Sequence, residues 1–189
     1  MTPDGEGAPW EPTPADDAVM AAFLEAGARP LQPAGPLEVL AAAVSTLDAA
    51  VAATLTEAST GVTALHLRHF SRSTGKWEMT GGCASTYPTD VENFYKARHV
   101  DSPTRTVDGF RFMASVEDDS DDLCLITLAQ TRQLAGATAA VRYDDREHPL
   151  TVGISGLIPV LVRLRRGVSS DVDLLVRDGT GRVLSTTSL

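Results

Sequence analysis

The chain holds 189 residues with a net charge of −9; 43% of residues are hydrophobic, 22% charged and only 5% aromatic. That length suits one domain of ordinary size with a largely aliphatic core. An acidic chain without a basic stripe argues against nucleic acid and against anionic membrane surfaces as partners. Residues 1–60 carry nine acids against Arg29 alone, so most of the charge lies there and the remainder is nearly neutral.

Residues 1–12, with Pro3, Pro9 and Pro12, read as a flexible tail in which Trp10 is the one large apolar group. A first helix is expected from Thr13. Thr13 can cap it, Pro14 suits its first position, and Asp16 and Asp17 favour the positive end of its dipole. Val19, Met20, Phe23 and Leu24 form its apolar face, and Gly27 ends it. After a linker at 28–35, Pro36 opens a second expected helix. Leu37, Leu40, Val44, Leu47, Val51 and Leu55 recur at steps of three and four and make a single stripe as far as Gly61. This stripe reads as a helix packed on the core, or as a dimerisation helix.

At Gly61 the periodicity changes to two. Residues 62–71 and 76–84 read as a hairpin, with Leu65, Leu67 and His69 on one face of the first strand and His66 and Arg68 on the other. Thr89 and Glu92 form a capping box for a short third helix that ends near His99. Strands are expected at 109–116 and 123–129, and five more near 137–143, 149–154, 157–164, 171–177 and 181–187. Turns at Asp144–Asp145 and Gly179–Gly181 punctuate the last of these. Pro159 marks its strand as an edge or a bulge. The fold class is therefore α+β, with N-terminal helices on a mainly antiparallel sheet and the C-terminal part a β-sandwich or partial barrel. The expected organisation is a tail at 1–12, a helical segment at 13–60, an α+β core at 61–136 and a strand meander at 137–189 that could stand as a small subdomain.

No catalytic constellation emerges. His66 and His69 are three apart and would converge on a helix, but on a strand they point to opposite faces, so no metal site is expected from them. Glu117–Asp122 holds five acids in six residues and reads as a solvated turn, because it lacks the glycine and distal glutamate of a calcium loop. Cys83 and Cys124 have no Cys-x-x-Cys spacing and, with no export signal in view, read as reduced buried thiols. No cofactor is expected. The residues singled out as binding candidates are His66, Arg68, Trp77 and Tyr95. The leading expectation is a non-catalytic protein-binding or regulatory module of the cytoplasm. Its partner, or a second copy of the chain, would dock on the Leu40, Val44, Leu47 and Val51 helix or on an open strand edge. The alternative is a small-molecule-binding domain or an enzyme without a recognisable motif, with a pocket between sheet and helices.

Overall fold

The computed structural model describes residues 12–28, 35–86, 103–116, 121–132, 136–153, 156–166 and 171–189. Among these the chain is mostly β, with one helix and eleven strands in three antiparallel sheets that do not close. No helix among the described residues is long and apolar enough to cross a membrane.

Helix α1 (Pro14–Glu25) starts and stops where its residue chemistry requires. Thr13 is the N-cap: its hydroxyl accepts from the Asp16 amide at 3.3 Å, and the Asp16 carboxylate accepts from the Thr13 amide at 2.8 Å. At the other end Gly27 takes φ +75°. Its amide donates to the Leu24 carbonyl while the Ala28 amide donates to the Phe23 carbonyl, and the pair of bonds closes the helix. Met20, Phe23 and Leu24 are buried.

The expected second helix does not form. Residues 36–60 instead fold as β1 (Leu37–Val44) and β2 (Asp48–Thr56), an antiparallel hairpin turning at Thr46–Leu47. The steps of three and four that suggested a helix arise because β1 carries an extra residue at Leu40 and the turn adds two more. β2 shows no period of two because both of its faces are covered. Ala49, Val51, Ala53 and Leu55 join Met20, Phe23 and Leu24 of α1 in one apolar cluster, while Ala50 and Ala52 join a second cluster on the opposite side. A strand buried on both faces reads as a continuous apolar run. Its alanines are helix formers by propensity, and tertiary packing overrides that preference. The stripe expected on the helix is accordingly divided. Val51 is buried under α1, Leu40 packs on the opposite cluster, and Val44 is 50% exposed.

β3 (Thr63–Arg72) and β4 (Trp77–Thr86) continue this sheet in the order β1-β2-β3-β4. β5 (Thr104–Ser115), β6 (Leu123–Thr131) and β9 (Leu157–Leu164) make the second sheet, with β9 at its end as Pro159 requires. β7 (Thr138–Tyr143), β8 (Arg146–Leu150), β10 (Asp173–Arg177) and β11 (Val183–Ser188) make the third, in the order β11-β10-β7-β8. Asp144 and Asp145 both take positive φ in the β7–β8 turn, the mirror-image turn that matches strand twist. The first two sheets share a core of Ala50, Leu65, Leu67, Phe110, Ile126 and Leu128, among others. The second and third share Leu125, Ile158, Val160, Val141, Leu174 and Val176. The expected third helix, at 89–99, lies outside the described residues.

Candidate functional site

Two irregularities in the first sheet place polar groups inside its core. Asp48 begins β2 immediately after the hairpin turn, where the Ser45 hydroxyl accepts from its amide and the Ser45 amide donates to its carbonyl. Its side chain therefore points to the same face as Ala50 and Ala52, into the core shared with β5 and β6. On β4 the register passes from Met79, opposite Phe70, to Gly81, opposite His69, and leaves Thr80 as an extra residue. A bulge of this kind re-aims a side chain.

The result is a hydrogen-bonded row across three strands. His69 Nε2 lies 3.0 Å from Asp48 Oδ1, and Thr80 Oγ1 lies 2.6 Å from His69 Nδ1. His69 is fully buried and Asp48 is 3% exposed. A carboxylate only accepts, so Nε2 of His69 carries a proton toward Asp48, while the Thr80 hydroxyl faces Nδ1 and also lies 3.4 Å from the His69 carbonyl oxygen. From the facing sheet β6 contributes Cys124, also buried. Ligand atoms of Asp48, His69 and Cys124 lie within 4.8 Å of one another.

Asp48 and Cys124 open onto a cleft of about 780 Å³. Its walls come from the end of α1 (Leu24), the β1–β2 hairpin (Ala43, Leu47), β8 (Leu150) and β9 (Leu161, Arg163). At the rim the Tyr143 and His148 rings stack with centroids 4.5 Å apart, and Arg163 Nε holds Asp122 Oδ2 at 2.8 Å. Burial, followed by the nearby negative charges of Asp144 and Cys124, raises the pKa of the Tyr143 phenol above its ordinary value.

The residues singled out from sequence sit elsewhere. His66 and Arg68 share the helix-covered face of β3, where Arg68 Nε lies 3.6 Å from Asp17 Oδ1 of α1. Burial raises the pKa of Asp17 while the Arg68 guanidinium opposes the shift. Gly82 lies opposite Arg68, and a β-carbon there would come within 2.7 Å of the arginine side chain and 2.8 Å of the Leu67 carbonyl oxygen. Trp77 is 7% exposed in the cluster under α1, with the Arg72 guanidinium 5.4 Å from its ring centre. None of these three lines the cleft; Tyr95 lies outside the described residues. His66 and His69 point to opposite faces, as the strand reading requires. Cys124 is buried as expected. Cys83 is half-buried, and desolvation pushes its thiol up to about 11 against the pull of Arg68.

Sequence reading missed Asp48, Thr80 and Cys124 as partners of His69, because they come from β2, β4 and β6 at no motif spacing. The available signal was Asp48 itself, a carboxylate set in an otherwise alanine-rich and valine-rich run. Comparison with protein-family models, curated proteins and solved structures returns no match.

Proposed function

We propose that this chain is a small-molecule-binding module whose ligand occupies the cleft above Asp48 and Cys124. The supporting observation is the cleft itself: about 780 Å³, with mixed apolar and polar walls and a lining that includes the buried Asp48 carboxylate and the buried Cys124 thiol. Ligand sites are commonly concave, of this size, and mostly apolar with a few placed polar groups. Asp48, the Arg163–Asp122 pair and His148 would orient a ligand, while Leu24, Leu47, Leu150 and Leu161 would bury its apolar part. The reading needs no covalent step.

The test uses the amphipathic dye anilinonaphthalene sulfonate as the probe, titrated into the full chain and followed by its fluorescence. Binding of one dye per chain is expected. Thr151→Trp, a change at an exposed position on the cleft wall, should weaken it at least tenfold. Dye binding that is absent, or unchanged in both Thr151→Trp and Leu161→Trp, would overturn the reading.

A protein-binding or regulatory role is the second reading. It is favoured by β11, which ends its sheet and leaves Val183 47% exposed. An outer strand offers backbone donors and acceptors to an added strand. Sedimentation that stays monomeric across concentration, with no strand-shaped partner retained, would count against it.

A further inference from the structure

We infer that Asp48, His69 and Cys124 form a binding site for one divalent d-block cation of borderline softness, zinc foremost, with its open coordination position facing the cleft. This inference rests on the three side chains and on Thr80, and does not require the cleft to bind an organic ligand.

The donor set is one carboxylate oxygen, one imidazole nitrogen and one thiolate. Thiolate and imidazole exclude calcium and magnesium as the preferred occupants and suit zinc or its neighbours. Bond lengths of about 2.0–2.3 Å at tetrahedral angles set ligand atoms roughly 3.3–3.8 Å apart. The three ligand atoms already lie within 4.8 Å of one another. Side-chain rotation of an ångström or less, on three strands whose backbones are fixed by pairing, therefore closes the site. The ion enters between His69 Nε2 and Asp48 Oδ1, now 3.0 Å apart.

Thr80 supplies the outer partner that a ligating histidine requires. With Nε2 on the ion, Nδ1 carries the imidazole proton and donates it to Thr80 Oγ1 at 2.6 Å, while the Thr80 hydroxyl donates to the His69 carbonyl at 3.4 Å; the proton of the Cys124 thiol is released to solvent as the thiolate binds. The bulge at Thr80 makes both contacts available. Three protein ligands with a fourth position open to solvent is the arrangement of zinc sites that bind or activate a further molecule. Here the open position faces the cleft, because Asp48 and Cys124 both line it.

The test strips the full chain with chelator and titrates it with Co²⁺ under reducing, anaerobic conditions. The readouts are stoichiometry and the thiolate-to-cobalt absorption in the near ultraviolet. One cobalt per chain is expected, with a thiolate band that zinc displaces. Cys124→Ser should abolish the band, whereas Cys83→Ser should keep it. Thr80→Val should keep the band but weaken binding by about 10–100-fold, as loss of an outer partner does. The far-ultraviolet circular dichroism of each stripped variant confirms that it folds. A wild-type chain without a thiolate band, or a band that survives Cys124→Ser, would overturn the inference. Either result leaves the dye titration to decide the cleft reading separately.

Discussion

Replacing Asp48 by alanine removes the carboxylate that holds His69 and leaves the imidazole N–H in a core where that ring is fully buried. A hydrogen bond to a charged group contributes about 1.5–3 kcal/mol, and an orphaned buried donor adds a desolvation cost of about 1–3 kcal/mol. Asp48→Ala should therefore cost about 2.5–6 kcal/mol. His69→Leu leaves a nearly dry carboxylate without its partner and should cost at least as much, because burying an unpaired charge exceeds burying a neutral donor. The double variant removes both polar groups together. Its cost should fall short of the sum of the single costs by about 1.5–3 kcal/mol, the coupling expected of two groups in one hydrogen-bonded row. Urea unfolding of the full chain, followed by tryptophan emission, measures all three, since Trp77 sits in the core beneath α1. If the single costs add to within about 0.5 kcal/mol, the two side chains act independently and the row is not a unit.

Gly153→Ala would place a β-carbon 2.7 Å from that of Ala41 and 2.8 Å from the Leu40 carbonyl oxygen, and should cost about 1–3 kcal/mol. Gly179 has room and no positive φ, so Gly179→Ala should be neutral or stabilise by up to about 1 kcal/mol, and thermal melts of the pair check the opposite signs. The Asp178 carboxylate accepts from Thr180 and Arg182 in the β10–β11 turn, and these bonds, Thr180 first, lower its pKa to about 2 from an ordinary 3.8. Its folded value is depressed, so its contribution is present above pH 3.8 and fades as pH falls toward 2; Asp178→Ala should flatten that part of the acid unfolding curve. Cys83, with its thiol pushed up to about 11, should react with iodoacetamide at pH 8 far more slowly than a free cysteine does, as mass spectrometry of the labelled chain would record.

The parts of the fold legible in the sequence are those where local chemistry decides. Thr13, Pro14 and Asp16 mark the start of α1, and Gly27 marks its end, because cap residues act on their own neighbours. The alternation in β3 shows through because Leu65 and Leu67 enter one core while Arg68 reaches Asp17 on the other face. β2 was illegible for the converse reason. With α1 on one side and β5–β6 on the other it presents alanine to both, and the binary pattern that marks a half-buried strand is lost. The β1–β2 turn, Thr46–Leu47, also holds none of the Asn, Asp or Gly residues that announce a hairpin, whereas β7–β8 turns on Asp144–Asp145. The site was hidden more deeply still. Asp48 faces His69 only through strand register, Thr80 reaches it only through a one-residue bulge, and Cys124 arrives from a different sheet. Residues 21 and 55 positions from His69 meet it for reasons that sequence spacing does not encode.

The most direct test of the polar row is a long-range ¹⁵N–¹H correlation spectrum of the imidazoles in the metal-free chain. His69 should be locked in one state, with a proton on Nε2 held toward Asp48 and slow to exchange with water. A His69 ring averaging between tautomers, or protonated at Nδ1 alone, would contradict it.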